Sequence, residues 1–153
     1  MAARSKARKR ALDILFEADS KSVPVGTVLA ENIRRREQAG DPALNEYSIH
    51  LIEGIRAHAD QIDASILASA RGWTLERMPI VDRAILRIGA YEVLFNEGVP
   101  DAVAISEAVQ LATDLSTDES PGFVNGVLAA IATAPAGGPV PTQAAESSSP
   151  RLS

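Results

Sequence analysis

Five cations crowd the first ten residues, Arg4, Lys6, Arg8, Lys9 and Arg10, with no acid among them, in a chain whose net charge is −5. Residues 11–153 therefore carry −10, which makes the molecule an acidic body with one basic end. Guanidinium and ammonium groups gathered this way can hold phosphate oxygens by charge-assisted hydrogen bonds. Their placement adds to the point. Helical periodicity begins inside the cluster, because Ala7, Ala11, Ile14, Leu15 and Ala18 recur at spacings of three and four. The cations thus belong to the first turns of a helix, where each opposes the macrodipole at a cost of roughly 0.3–1 kcal/mol. Two readings follow, an anionic partner or a merely solubilising or disordered basic start, and the run alone does not separate them.

Other candidate chemistry is sparse. The segment from Ser116 to Gly126 is either a loop and helix start anchored by Phe123, with Gly126 admitting a neighbouring helix, or an exposed helix start with an aromatic ring for base stacking. Arg34, Arg35 and Arg36 form a run of a kind that is usually a solvated helix face. His50 and His58 lie eight apart without a zinc motif, and no cysteine is present, so no metal or thiolate site is expected. There is no P-loop, dinucleotide fingerprint or nucleophile elbow, and no pair of carboxylates is brought together by spacing. No catalytic residue and no cofactor is expected, and the chain is not read as an enzyme.

The elements that must position these residues are helices. No segment alternates with a period of two, and Ala, Leu, Ile, Glu, Arg and Gln dominate up to residue 133. A first helix is expected from about Arg4 to Lys21, and a second after Pro24 with Val25, Val28, Leu29 and Ile33 on one side. Gly40-Asp41-Pro42 breaks the chain. A long stretch from Leu44 to about Leu67 follows, as one helix or as two bent near Asp60. Trp73, Leu75 and Met78 form a hydrophobic connector ahead of Pro79. The helix carrying Val81, Ala84, Ile85, Ile88, Tyr91, Leu94 and Phe95 has the widest apolar face. Asp101 is expected to cap the next helix, and Ser120, followed by Pro121, the last. The result is an all-α bundle of about six or seven helices over residues 1–133. The Pro-, Ser-, Gly- and Ala-rich stretch 134–153 is expected to be a disordered tail.

Composition agrees with a single ordinary core: 153 residues, 46% hydrophobic. An acidic chain is a poor indiscriminate coat for nucleic acid, so any such binding should be local. The absence of cysteine fits a reducing cytoplasm. No apolar run reaches the roughly 18 residues of a membrane span, and Asp13, Glu17 and Asp19 interrupt any signal-peptide core.

Three blocks in order, R-x-K-x-R-K-R-A-L-D-I-L-F from Arg4, V-D-R-A-I-L-R-I-G-A-Y-E-V-L-F from Val81, and V-P-D-A-V-A-I-S-E-A-V-Q-L-A-T-D-L-S-T-D-E-S-P-G-F-V-N-G-V-L from Val99, resemble the NusB family of transcription antitermination factors. The likeness covers residues 4 to about 132. It implies an all-helical domain that pairs with the ribosomal protein NusE, binds the boxA element of nascent ribosomal RNA, and serves the RNA polymerase antitermination complex in the cytoplasm. Matched by position, the family's arginine-rich RNA-contacting start falls on Arg4, Lys6 and Arg8, with Lys9 and Arg10 as further cations. The RNA-contacting loop falls on Glu119, Ser120 and Phe123, and the NusE-facing surface on Phe16, Glu76 and Asp82. Ser5 stands where many relatives have another cation, Phe16 where tyrosine is frequent, and Pro121-Gly122 where a more polar pair is usual.

Taken together, the residues suggest RNA phosphates along Arg4, Lys6, Arg8 and Lys9 and a base on Phe123, with the leading helix close to the Phe123 turn. Asp82 has a second reading, as an acid in a first helical turn. The alternative function is a protein-only helical adaptor or a homodimer. A methyltransferase fusion, which the resemblance also brings to mind, would need a cofactor-binding domain that this sequence does not contain.

Overall fold

Helix-forming runs, most of them separated by Pro or Gly, cut the chain into seven α-helices, with no strand among the described residues. The computed structural model describes residues 3–134. The expected tail therefore lies, from residue 135 on, outside the described residues. In order, the helices are α1 (Ala3–Lys21), α2 (Val25–Ala39), α3 (Glu46–Ala57), α4 (Ala59–Ser69), α5 (Ile80–Phe95), α6 (Asp101–Leu115) and α7 (Ser120–Ala132), with a 3-10 turn at Leu75–Arg77. The stretch after Leu44 is two helices, broken at His58 (φ −119, ψ 25). Contacts divide the chain at the same place, into Met1–Ala57 and His58–Ser153.

In the first unit, α1 packs on both α2 and α3. It buries Ala7, Ala11, Leu12, Ile14, Leu15 and Ala18, and the alanines allow the neighbouring helices to come close. Val28 and Leu29 are buried from α2, and Leu51, Ile52 and Ile55 from α3. Ser48, itself buried, donates its hydroxyl to the Ala7 carbonyl at 2.8 Å and so ties α3 to the cationic turn of α1. Gly40 ends α2 in the left-handed region (φ 73), where glycine carries no steric cost. One of the three adjacent arginines has a local task there: Arg36 donates to the Pro42 carbonyl at 2.9 Å and to Asn32 Oδ1 at 3.1 Å.

In the second unit, α5 packs against α4, α6 and α7. Nine of its residues are buried, from Asp82 to Glu92, which accounts for its wide apolar face. Gly89 marks the closest approach: a Cβ there would come within 2.5 Å of Leu128 Cδ1 on α7. Arg87 grips Asp63 of α4 with two hydrogen bonds, 3.0 and 3.2 Å. His58 stacks on Phe95 with ring centroids 3.9 Å apart.

Two expected caps are corrected. Asp101 and Ser120 are first residues inside their helices, the caps are Pro100 and Glu119, and neither cap makes a side-chain hydrogen bond. Ser120 is instead occupied elsewhere. Its hydroxyl donates to Asp82 Oδ2 at 3.0 Å, while Ser116 donates to Asp82 Oδ1 at 2.6 Å. Two further contacts converge on Ser120, from Ser116 Oγ at 2.9 Å and from Thr117 Oγ1 at 2.8 Å. Each serine has one hydroxyl hydrogen, so with both given to the carboxylate Thr117 is the donor of its contact and the two serine oxygens share no hydrogen. Asp82 is only 3% exposed and sits in the first turn of α5, where its charge also meets the helix dipole favourably.

Removing this carboxylate leaves two hydroxyls without their acceptor, one of them buried. Asp82→Ala is expected to lower stability by about 2–4 kcal/mol in urea denaturation, and Ser116→Ala by about 1 kcal/mol. An unchanged midpoint for Asp82→Ala would show that the network does not hold the turn.

Candidate nucleic-acid interface

The five leading cations do not share a face. At 100° per residue, a step of two residues turns roughly 200° around the helix, so Arg4 and Arg8 fall on one side and Lys6 and Arg10 on another. Arg4 is exposed, with its guanidinium carbon 4.5 Å from the centroid of the Tyr47 ring on α3. Arg8 approaches the same ring at 5.7 Å but is only 3% exposed, so it is not a surface cation. Lys6 and Arg10 are exposed. Lys9 pairs with Asp13 at 2.7 Å, an exposed i,i+4 contact of the kind that contributes a few tenths of a kcal/mol and is readily exchanged.

Tyr47 stacks in turn on His50, with centroids 5.6 Å apart and planes 19° from parallel. Ala3, Arg4, Asn45, Glu46, Tyr47 and His50 line an open cleft of about 460 Å³. A guanidinium and two flat rings around one opening, with the Glu46 carboxylate at its edge, can accept a planar ligand. Sequence reading did not single out Tyr47 or His50 for this purpose, because a pairing between α1 and α3 leaves no trace in local periodicity.

The second candidate region lies at the start of α7. Glu119 is exposed, Ser120 is buried on Asp82, and Phe123 is half-buried. Phe123 meets the ring of Trp73 at 5.7 Å between centroids, with planes 56° apart. Gly126, considered as a point of helix approach, has nothing within 4 Å of where its Cβ would lie. The connector before Pro79 is split in its behaviour, since Met78 is buried whereas Trp73 is 45% exposed.

Of the residues expected to face a protein partner, Phe16 is 41% exposed, Glu76 is exposed on the 3-10 turn, and Asp82 is interior. Close to Phe16 in sequence, Glu17 accepts a hydrogen bond from Lys21, which holds its carboxyl below the usual carboxylate range, with Arg35 adding to the effect. The structure thus joins Arg4 and Arg8 at Tyr47 in the first unit, and Asp82 and Ser120 beside the Phe123 turn in the second. No group of three His, Asp or Glu suited to a metal occurs among the described residues. No described helix is long and apolar enough to cross a membrane.

Comparison with known proteins bears on what these surfaces serve. A model of the NusB family matches residues 5–133. The chain is similar to the transcription antitermination protein NusB of Beutenbergia cavernae, at 55% identity over 136 residues that cover 84% of this chain and 88% of that protein. It is 54% identical to the NusB of Streptomyces griseus over 130 residues, covering 84% and 91% respectively. Among solved structures, NusB of T. maritima superposes with a TM-score of 0.74 at 31% identity, covering 86% of this chain and 91% of that one. A NusB solved with NusE and double-stranded RNA gives 0.70 at 26% identity, covering 84% and 95%. This all-helical chain belongs to the NusB family, non-enzymatic factors of transcription antitermination.

Proposed function

We propose that the chain acts in antitermination by binding the boxA element of nascent ribosomal RNA as a single strand, paired with the ribosomal protein NusE, in the cytoplasmic antitermination complex of RNA polymerase. The observation that carries this reading is the exposed Arg4 laid over Tyr47, with Lys6 and Arg10 exposed on another side of the same helix start, on a chain that is otherwise strongly acidic. Cations kept at the start of an otherwise acidic chain suit a local anionic ligand. The relative solved with NusE and double-stranded RNA supports NusE and RNA as the classes of partner.

In this reading Arg4, Lys6 and Arg10 meet phosphates, and Lys9 joins them by leaving Asp13. Arg8, being buried, positions Tyr47 and α3 rather than touching RNA. Phe123 and Glu119 contact bases at the start of α7, with Ser120 and Asp82 holding that turn in place. Phe16 and Glu76 face NusE, the exposed ring supplying apolar contact and the carboxylate a charge for a basic partner.

Titration with a boxA-like RNA and a scrambled control, with and without NusE, tests the whole reading; equal affinity for both RNAs in every arm would leave only non-specific attraction. Lys6→Ala and Arg10→Ala should each flatten the slope of log affinity against log salt by about 0.7, the value for one phosphate contact on a single strand. An unchanged slope in both variants would remove this face of α1 from the interface. Phe16→Asp should weaken NusE binding about tenfold while RNA binding by the chain alone stays as it was, as measured by calorimetry with each partner.

A further inference from the structure

The exposed indole of Trp73 has no part in the reading above, although it lies against Phe123. From its surroundings we infer that Trp73 is a stacking site for an unpaired RNA base, next to the base carried by Phe123; the inference rests on the proposal that this chain binds RNA.

The local structure holds the ring out. Gly72, in the left-handed region (φ 80), reverses the chain after α4, and the Trp73 amide donates back to the Ala70 carbonyl at 3.3 Å. The 3-10 turn that follows is closed by hydrogen bonds from Arg77 to Thr74 and from Met78 to Leu75, and buried Met78 anchors it. Trp73 is thus fixed at its backbone on both sides while its side chain remains 45% exposed. Trp73 leaves nearly half its surface to solvent, where tryptophan is on average highly buried.

The neighbours suit a nucleotide. The Phe123 ring meets the indole at 56°, so the two are tilted rather than stacked and neither covers the other's π-face completely. The guanidinium carbon of Arg77 lies over the indole at 5.9 Å, carried on an exposed side chain. A base sliding onto the indole displaces that guanidinium, which remains within a side chain's reach to meet the phosphate of the same nucleotide. Arg71, also exposed, adds a second cation close in sequence. An apolar protein partner would gain from the indole but not from the two arginines, whereas a single-stranded nucleotide uses both the ring and the charge. Stacking of this type tolerates any base, so Trp73 contributes affinity and strand register, and it favours single strands over duplex, whose bases are already stacked.

Trp73 is the one tryptophan in the chain, so its emission reports directly on this site. In the full chain, unlabelled boxA-like single-stranded RNA should quench that emission over the same concentration range in which anisotropy of a labelled copy shows binding. Duplex RNA of the same sequence should quench it far less. Trp73→Ala should weaken single-strand affinity by roughly five- to 150-fold, the range for one base–aromatic stack, with its urea midpoint close to wild type. Trp73→Phe should recover most of the loss. Rising anisotropy with unchanged emission, together with wild-type affinity in Trp73→Ala, would overturn the site and leave RNA binding itself intact. Anisotropy that never rises would overturn the RNA-binding proposal and this inference with it. Emission that changes only on addition of NusE would overturn it in favour of a protein surface.

Discussion

One buried carboxylate governs how the second unit presents its surface. Asp82 stands at the start of α5 and receives hydroxyls from both ends of the loop that joins α6 to α7. A charged acceptor in a buried setting makes these bonds directional, and it is costly to leave unpaired. The first turn of α7 is thereby fixed on α5, and Phe123, three residues beyond Ser120, has its position set by a contact in which it takes no part. Trp73 is held from the other direction by Gly72 and the Met78 anchor. The aromatic pair is an outcome of two independent restraints on backbone, and so it does not depend on attraction between the rings.

The same carboxylate illustrates where legibility in the sequence stopped. Asp82 was open to two readings, a partner contact or an acid in a first helical turn, and its 3% exposure agrees with an interior role. Helix-by-helix order was readable because apolar spacing, proline and glycine act locally. The break at His58 was readable only as one of two alternatives, a single helix or two bent near Asp60, since nothing in its neighbourhood is a strong helix breaker. Caps were misread at Asp101 and Ser120 for a related reason: an N-cap preference is a local tendency, and the Ser120 hydroxyl found a stronger acceptor 38 residues away. Likewise the cationic run was visible and helix geometry alone divides it into two sides, whereas the seating of the Arg4–Arg8 side on Tyr47 required knowing what α3 brings alongside. Family likeness carried the function further than spacing did, and the comparisons place the chain in that family.

Charge distribution sets the physics by which such a molecule can engage a polyanion. At physiological ionic strength the Debye length is about 8 Å, so the −10 carried by residues 11–153 repels a transcript only where the strand runs close to it. On the proposed reading the cationic first turns of α1 attract phosphate over a short range. The balance penalises long, sequence-blind contacts and leaves short ones, in which a few bases must be held by stacking or hydrogen bonding for binding to persist. A protein so charged needs aromatic surface in addition to cations. Tyr47 beneath Arg4 and the Trp73–Phe123 pair beside Arg77 each have a guanidinium at hand. Coupling a flat apolar face to a single positive charge at both places meets the constraint that net acidity imposes.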